Sequence, residues 1–215
     1  MMKSVTIGAN DAGQRLDKFL TKTYRNLPQS MLYKSIRKKL NGKRCEISAR
    51  LCEGDVLTMY LKDEFFQTEP KKYDFLQAPV KLNLLYEDEN LLIVDKKPGL
   101  IVHPDENYHF DSLIARIQHY LFDKNEYRPD EENSFAPALI NRIDRNTGGI
   151  VMAAKNAETL RIMNAKLKAR ELKKLYLCIV CGRIEKKADT LEGYLEKNEK
   201  QNRVYISSKA APDAK

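Results

Sequence analysis

No long hydrophobic run occurs in the sequence. Its longest apolar stretches, LLIV and GGIVMAA, are far shorter than the roughly 20 residues that a membrane-spanning helix needs, and the N-terminal MMKSVTIGAND has no apolar core of a secretory signal. Internal repeats are also absent. With 42% hydrophobic and 32% charged residues, the 215-residue chain has the balance of a folded protein. We therefore expect a folded, cytoplasmic protein with no membrane segment.

Cysteine is scarce, with four residues in the chain. Cys178 and Cys181 have the C-x-x-C spacing that zinc and redox sites use. They lie in the apolar stretch LYLCIVCG, which predicts a β-strand, and residues three apart on a strand point to opposite faces. Two such thiols are poorly placed to bind one metal ion. We expect free thiols that are buried or half-buried, and no metal site.

Acidic residues are few in the first part of the chain. Residues 1–61 contain 12 lysines and arginines against 5 aspartates and glutamates, whereas residues 62–215 contain 26 against 25. Almost all of the net charge of +8 therefore lies in the N-terminal quarter. A basic module joined to a nearly neutral one predicts binding to a polyanion such as RNA or DNA. The alternative is a solvated basic face that has no partner.

The N-terminal module, residues 1–61, has the pattern helix, helix, turn, strand, strand. Apolar residues at helical spacing predict the first helix at Leu16, Phe19, Leu20 and Tyr24, and the second at Leu32, Ile36 and Leu40 after the cap Ser30. The dipeptide NG at 41–42 would end the second helix, and KRCEI and DVLTMYL are predicted strands. This order gathers five basic residues at the helix end and the turn beyond it: Arg37, Lys38, Lys39, Lys43 and Arg44.

The stretches QRLDKFL, KSIRKKLNGKRCEI and EGDVLTMYL resemble the αL RNA-binding domain of small-subunit ribosomal protein S-four. The resemblance covers nearly the whole N-terminal quarter of the chain. It implies an RNA-binding domain at residues 1–61 that holds RNA through phosphate contacts and does no chemistry. The residues expected to contact RNA are Arg15, Arg37, Lys38, Lys39, Lys43 and Arg44.

Residues 62–80 have mixed charge and little periodicity, and they predict a linker to a second domain at residues 81–215. In that domain, NLLYEDENLLIVDKKPG predicts a hairpin and residues 111–122 a helix. GGIVMAAK predicts a strand, which is followed by a helix that Asn156 caps, and KKLYLCIVCGRI predicts a further strand. We expect an α+β fold, with a small α+β N-terminal domain and a mixed, largely antiparallel sheet flanked by helices.

One carboxylate, Asp144, lies between two arginines and just ahead of a Thr-Gly-Gly turn in ALINRIDRNTGGIVMAAK. Arg142, Arg145 and Thr147 would keep it ionised, as a nucleophile or an electrostatic stabiliser requires and a general acid does not. A surface ion pair is one alternative. Another is a turn in which the carboxylate bonds to the backbone near Gly148. The residues alone leave these possibilities open.

The segment NRIDRNTGGIVMAAKNAE resembles the catalytic motif H-R-L-D-x-x-T-S-G of the RluA-type pseudouridine synthases. Two further motifs of that family have counterparts in the right order, LYEDENLLIVDKKPGLIVHP upstream and KKLYLCIVCG downstream. The resemblance implies the pseudouridine synthase fold and the isomerisation of uridine to pseudouridine in structured RNA, either ribosomal or transfer RNA. It implies no cofactor, because the leaving uracil anion can itself be recaptured through carbon.

The same resemblance implies roles for single residues. Asp144 would be the essential carboxylate, whether it attacks the sugar, adds to the ring or removes a sugar proton. Arg142 would help to displace the target base from the RNA helix. Tyr176 would stack on the uracil, and its alternative is a core position on a strand.

Further residues of these motifs are expected around the site. Lys97, Pro98 and Gly99 would shape its wall, and His103 would be a structural or RNA-facing loop residue rather than a general base. Lys97 and Arg145 join the residues that are expected to contact RNA.

The sequence also departs from the family pattern. Asn141 replaces the histidine of the catalytic motif, Ile143 its leucine and Gly148 its serine; Asn141 and Gly148 would remove side-chain hydrogen bonds that steady the loop. The family's third motif, with a basic partner for the carboxylate, is not reached before SSKAAPDAK, so we expect an incomplete catalytic domain. The alternative function is a non-catalytic or truncated RNA-binding protein on a synthase scaffold. A carboxylate-based hydrolase lacks a convincing second acid.

Overall fold

The computed structural model divides the chain into two compact units, Met1–Lys173 and Lys174–Lys215. It describes residues 2–24, 26–28, 30–31, 37–60, 62, 65, 73–105, 110–198 and 203–207. The first unit holds two four-stranded sheets and their helices, and the second holds a hairpin. The predicted α+β class is confirmed.

The first sheet lies at the N-terminus and packs against one helix. Its strands are β1 (Met2–Thr6), β2 (Arg37–Leu40), β3 (Lys43–Arg44) and β4 (Val56–Tyr60), in the order β1-β4-β2-β3, and all neighbours are antiparallel. Helix α1 (Leu16–Thr23) contributes Leu16, Phe19 and Leu20 to a core that it shares with Leu57 and Met59 of β4. The first predicted helix and the strand in DVLTMYL are confirmed.

The second predicted helix is wrong at its C-terminal end. Arg37–Leu40 is a strand, paired along its length with β4, and Asn41 and Gly42 make the tight turn from β2 into β3 with φ of 50° and 78°. Positive φ at both central residues is what a two-residue hairpin loop requires, and Asn-Gly is the preferred pair there. The NG dipeptide therefore marks a hairpin rather than a helix end. Residues 32–36 lie outside the described part of the chain.

The second sheet carries the loop that contains Asp144. It consists of β5 (Leu84–Glu87), β6 (Leu91–Lys96), β7 (Ala138–Leu139) and β8 (Gly149–Ala154), in the antiparallel order β5-β6-β8-β7. Helix α2 (Leu113–Asp123) is capped by Ser112 and α3 (Ala157–Lys168) by Asn156, whose side chain accepts from the Thr159 N–H at 2.9 Å. The predicted hairpin, both predicted helices and the predicted cap Asn156 are confirmed.

A second core lies between this sheet and α2. Leu92 and Val94 of β6 and Val151 of β8 pack against Ile117 and its neighbours on the helix. Residues of the predicted linker also reach this core: Asp74–Gln77 forms a 3₁₀ turn, and Phe75 and Ala78 are buried in the cluster.

Polar contacts join the N-terminal module to the loop before β7. The buried Asp11 accepts from Asn133 Nδ2 at 2.8 Å and from Ser134 Oγ at 2.5 Å. Beside it, the Asn10 Oδ1 accepts from the Ala157 N–H at the start of α3, at 3.0 Å. We call Asn10, Asp11, Asn133 and Ser134 the Asp11 clamp. Its hydrogen bonds span more than a hundred residues of sequence, so only the tertiary fold assembles it.

The second unit contains β9 (Tyr194–Asn198) paired antiparallel with β10 (Arg203–Ser207). The strand predicted for KKLYLCIVCGRI is absent from these described residues, where Leu177 and Ile179 are fully exposed. A strand needs a neighbour to satisfy its backbone groups, and alternating apolar residues alone do not supply one. Cys178 and Cys181 are exposed with it, as is Cys52, so the burial expected for these thiols is wrong, whereas Cys45 is half-buried as predicted.

None of the described helices combines the length and the apolar character needed to cross a bilayer.

Candidate active site

Asp144 lies on the loop between β7 and β8 of the second sheet. Ile143, directly before it, is buried in the core and anchors the loop, whereas Asp144 and Arg142 on either side of it are exposed. This alternation turns one side chain inward and its neighbours outward. Ile143 thus fills the core position expected for it, and Asp144 is presented at the surface.

The Asp144 turn is closed by the backbone rather than by the carboxylate. The Thr147 N–H donates to the main-chain oxygen of Asp144 at 3.1 Å. Across the described residues, no group donates a hydrogen bond to the Asp144 carboxylate, and neither Arg142 nor Arg145 forms an ion pair with it. The two structural alternatives for this residue are therefore not what the geometry shows. Within the described part of the chain, the Asp144 side chain is therefore exposed and has no hydrogen-bond donor.

A buried cation, Lys96, holds the loop from beneath. Its side chain is 1% exposed, and its Nζ donates to the main-chain oxygens of Lys97 at 3.1 Å, Leu100 at 2.7 Å and Arg145 at 3.0 Å. Burial lowers the pKa of Lys96, and the negative charge of Asp144 opposes that effect. One ammonium therefore joins the loop after β6 to the Asp144 loop and lies close enough to Asp144 to interact with its charge.

Two further hydrogen bonds join these loops. The Gly99 N–H donates to the Arg145 main-chain oxygen at 2.8 Å, and the Arg145 Nε donates to the Gly99 oxygen at 3.1 Å. Arg145, which is expected to contact RNA, thus uses its Nε in a hydrogen bond within the protein. Gly99 has a φ of 92°, which a side chain would strain. The wall predicted at Lys97, Pro98 and Gly99 does border the Asp144 loop.

Gly148 permits close packing between the same two loops. A Cβ placed there would lie 3.1 Å from Pro98 Cδ, 3.2 Å from Pro98 Cγ and 3.4 Å from the Lys96 oxygen. The two distances to Pro98 are shorter than ordinary carbon–carbon contacts. The serine of the family motif would therefore crowd Pro98, so the glycine matches the proline of this chain.

Asn141 steadies the loop instead of weakening it. Its Oδ1 accepts from the Met152 N–H at 2.8 Å, and its Nδ2 donates to the Ile150 oxygen at 3.1 Å. The side-chain amide thereby pairs with the backbone of β8 just beyond β7. The expectation that Asn141 removes steadying hydrogen bonds is wrong, because an amide offers a donor and an acceptor in the spacing that a neighbouring strand presents.

Arg142 lies near His103. The His103 side chain is exposed overall, yet the protein atoms around its ring desolvate it and lower its pKa, and the positive charge of Arg142 lowers it further. A neutral imidazole therefore stands beside the guanidinium at neutral pH. Lys97 is exposed on the neighbouring loop.

The remaining predicted residues lie elsewhere. Tyr176 belongs to the second unit, where its side chain is 61% exposed, so its alternative as a buried strand residue is not supported. Arg15 precedes the first turn of α1 and makes a bidentate ion pair with Asp17, from Nε at 3.2 Å and Nη2 at 2.9 Å. The Arg15 guanidinium lowers the pKa of Asp17.

Sequence reasoning missed Lys96, although a signal was present. On β6 the buried positions alternate through Leu92, Val94 and Lys96, so period-two alternation places this lysine inside. A buried lysine requires hydrogen-bond partners, and here they are carbonyl oxygens of the loop after β6 and of the Asp144 loop. No group of three or more histidine, cysteine, aspartate or glutamate side chains comes together among the residues described to bind a metal.

Comparison with known proteins identifies the family of the chain that carries the Asp144 loop. The family model for RNA pseudouridylate synthase matches residues 90–215, which is more than half of the chain. The chain belongs to the RNA pseudouridylate synthase family. That match includes β6, the Lys96 and Asp144 loops, β8 and the second unit.

Individual relatives agree with this membership. The chain is 31% identical over 216 residues to the ribosomal large subunit pseudouridine synthase C of Vibrio vulnificus, and 34% identical over 174 residues to an uncharacterised RNA pseudouridine synthase of Mycoplasma capricolum. These alignments cover 97% and 79% of this chain, and 64% and 56% of the relatives. The chain thus spans less than two thirds of their length. The solved structure of human RNA pseudouridylate synthase domain containing 1 matches with 18% identity and a TM-score of 0.47, over 69% of this chain and 51% of the human chain.

Proposed function

We propose that the protein isomerises uridine to pseudouridine within RNA, with Asp144 as the essential carboxylate. The observation that carries the proposal is an exposed aspartate held on a preformed loop by Lys96 and Asn141, within the region that the synthase family matches. In this reaction the bond from the sugar to the ring nitrogen breaks and a bond to a ring carbon forms. The ring nitrogen gains a proton and that carbon loses one, so no atom is added overall and no cofactor is required.

Electrostatics around Asp144 fit a carboxylate that acts in its charged form. Lys96 supplies a positive charge behind the loop, and Arg142 and Arg145 flank the residue in the chain. An ionised carboxylate stabilises positive charge that develops on a sugar carbon as its base departs, and it is also the form that attacks such a carbon.

The substrate that we propose is ribosomal RNA, with transfer RNA as the second choice. Relatives at about the same level of identity are named ribosomal large subunit pseudouridine synthases, in Vibrio vulnificus and Vibrio cholerae. The basic N-terminal module at residues 1–61 would hold this RNA through its phosphates, as the predicted RNA-binding domain. Such a substrate implies a cytoplasmic protein.

The test is Asp144→Asn, which keeps the size of the side chain and removes its charge. Unmodified large-subunit ribosomal RNA and bulk transfer RNA would be incubated with the chain, and pseudouridine would be marked chemically and counted by mass spectrometry. Glu158→Gln is the matched control, because it neutralises an exposed carboxylate on α3 in the same unit. We expect product from the wild type and from Glu158→Gln, and background from Asp144→Asn.

Two results would contradict the proposal in different ways. Product from Asp144→Asn at the wild-type rate would remove Asp144 from the chemistry. No product from any variant, together with RNA binding that persists, would favour the alternative of a non-catalytic RNA-binding protein on a synthase scaffold.

Arg142 is proposed to help displace the target base, and Tyr176 to stack on it. Displacement matters only where the uridine is paired, since unpairing and unstacking take a few kcal/mol. We expect Arg142→Ala to reduce turnover of a uridine in a helical stem more than turnover of the same uridine in an unpaired strand. Tyr176→Phe should keep activity that Tyr176→Ala loses. Equal losses on both RNAs would assign Arg142 another role.

A further inference from the structure

The basic residues of the N-terminal hairpin fall on two different faces of the first sheet. Alternation along each strand, together with the observed register, divides them, because residues opposite each other on neighbouring antiparallel strands share a face. Lys38 pairs with Met59 and Lys43 with Leu40, so they lie on the inner face, the side of the sheet that carries the core residues Leu57 and Met59. Lys38 is half-buried there, and Lys43 is exposed. Arg37 pairs with Tyr60, and Lys39 pairs with both Thr58 and Arg44, so these three cations lie on the opposite face.

We call that opposite side the outer face. It consists of Met2, Ser4, Thr6, Arg37, Lys39, Arg44, Val56, Thr58 and Tyr60. Two contacts confirm the assignment: Ser4 Oγ lies 3.1 Å from Thr58 Oγ1, and the Arg37 guanidinium lies 5.5 Å from the centre of the Tyr60 ring. Burial agrees, because Leu57 and Met59 are fully buried on the inner face while Val56 and Tyr60 on either side of them are exposed.

The chemistry of the outer face is that of a nucleic-acid surface. Within the described residues, no carboxylate forms an ion pair with Arg37, Lys39 or Arg44. Asp55, at the Asn41 end of the face, is already engaged by the Asn41 Nδ2 at 2.8 Å and the Cys52 N–H at 2.7 Å. Three cations and an aromatic ring therefore lie on one face of the sheet, where Arg37, Arg44 and Tyr60 are exposed and Lys39 is half-buried.

We propose that the outer face binds a single-stranded segment of the RNA substrate, with one base stacked on Tyr60 and phosphates contacting Arg37, Lys39 and Arg44. The inference rests on the proposed function, since it identifies how that RNA is held. Aromatic rings on a sheet accept a base of any sequence, and the cations follow the backbone. The Arg37 guanidinium lies beside the Tyr60 ring, so a phosphate contact and a stacked base can be neighbours, and the exposed Met2 extends the apolar surface next to the ring.

Paired variants on the same hairpin separate this proposal from general attraction by positive charge. Lys39→Gln/Arg44→Gln removes two charges from the outer face, whereas Lys38→Gln/Lys43→Gln removes two from the inner face of the same strands. Binding of a fluorescein-labelled oligouridylate to the full chain would be followed by anisotropy between about 50 and 200 mM salt. We expect the outer-face pair to lose more affinity and to reduce the salt slope by about 1.4, the value for two phosphate contacts on a single strand.

Changes at Tyr60 test the stacked base. Tyr60→Ala should weaken oligouridylate binding by about 5- to 150-fold, as expected when one stacked base is lost, and Tyr60→Phe should bind as the wild type does. Duplex RNA of the same length should be affected little by Tyr60→Ala, because its bases are already stacked on each other. Lys18→Gln/Lys22→Gln, on exposed positions of α1, controls for the loss of two charges elsewhere in the module.

Because the sequence contains no tryptophan, RNA binding at position 60 can be followed by the fluorescence of a single introduced tryptophan. A Tyr60→Trp variant carries one tryptophan, whose fluorescence should be quenched by oligouridylate and unchanged by inorganic polyphosphate, which has charge and no bases. Equal quenching by both polymers, or equal losses for the outer-face and inner-face pairs, would overturn the proposal. If the chain forms pseudouridine while outer-face variants bind normally, only this inference fails. If outer-face variants weaken binding but no product forms, the proposed function fails instead.

Discussion

At the scale of single residues, the Asp144 loop depends on one buried cation. Lys96 donates to three carbonyl oxygens, two of them on its own loop and one on the Asp144 loop. Carbonyl oxygens carry no net charge, so they satisfy the ammonium by dipoles, and the charge of Asp144 adds to them. The same loops meet again where Gly148 lies against Pro98. These contacts leave the loop little freedom to change its conformation.

Lys96→Met should destabilise the fold, because the methionine fills the space but leaves the Lys97 and Leu100 oxygens without their donor and the Arg145 oxygen with the Gly99 N–H alone. We expect the free energy of unfolding in urea to fall by about 2–4 kcal/mol, since hydrogen bonds to charged groups are worth about 1.5–3 kcal/mol each and burial of the ammonium offsets part of that. Lys97→Met, the exposed neighbour, is the control. Similar losses for the two variants would show that Lys96 does not hold the loops.

Gly148→Ser restores the residue of the family motif and should be unfavourable in this chain. Its Cβ would crowd the Pro98 ring, and overpacking of this kind typically costs about 1–3 kcal/mol. Pro98→Ala in the same chain removes the crowded atoms, so the double variant should recover most of the loss. Additive effects in a double-mutant cycle would mean that the two residues are not coupled.

At the scale of elements, an ionic cluster ties the second sheet to α2. Glu87 at the end of β5 accepts from Lys124 at 2.6 Å, Tyr120 at 2.7 Å and Lys155 at 3.1 Å, and Lys155 also pairs with Glu126. Burial alone would raise the pKa of Glu87, but the hydrogen bonds outweigh it and lower the value to about 2. The hairpin, α2 and the end of β8 are thereby joined by one carboxylate.

The lowered pKa of Glu87 predicts how stability depends on pH. The folded pKa of about 2 lies below the usual value of 4.5 for a glutamate, so the stabilisation is fully present above about pH 5 and is lost as the pH falls through that interval towards 2. We expect a loss on the order of 3 kcal/mol from this group. Urea unfolding of the wild type and of Glu87→Gln at a series of pH values isolates it, with Glu158→Gln as control. A difference between wild type and Glu87→Gln that stays constant across this range would contradict the prediction.

At the scale of the whole molecule, the first unit contains two cores joined by the Asp11 clamp. The domain boundaries at residues 61 and 80 remain predictions, although each core falls within one predicted domain apart from Phe65, Tyr73, Phe75 and Ala78 in the linker. Because the clamp hydrogen-bonds a buried carboxylate to the loop before β7, the N-terminal module and the second sheet are held in one arrangement.

Asp11→Ala should loosen that arrangement without unfolding either core. The Asn133 amide and the Ser134 hydroxyl would lose a charged acceptor, which is worth about 1.5–3 kcal/mol per bond. Hydrogen exchange should accelerate together at residues 9–14 and 130–134, while β4 and β6 keep their protection. Asp123→Ala, an exposed carboxylate at the end of α2, is the control. Faster exchange throughout both sheets would indicate global destabilisation rather than release of the clamp.

The sequence by itself determined the features that depend on local pattern. Helical spacing located α1, capping by Asn156 located α3, alternation located β4, and two β-rich runs around a turn located β5 and β6. The ordered motifs indicated the family. Only the tertiary structure decided features that need a partner far along the chain. Arg37–Leu40 is a strand because β4 is available to pair with it, whereas the described residues around Tyr176 form no strand. Lys96 joins two loops because the Arg145 oxygen, 49 residues along the chain, comes within hydrogen-bond distance of its Nζ. A local sequence pattern indicates which side chains must be buried and which backbone groups must be paired. The residues that bury or pair with them come together only in the tertiary fold.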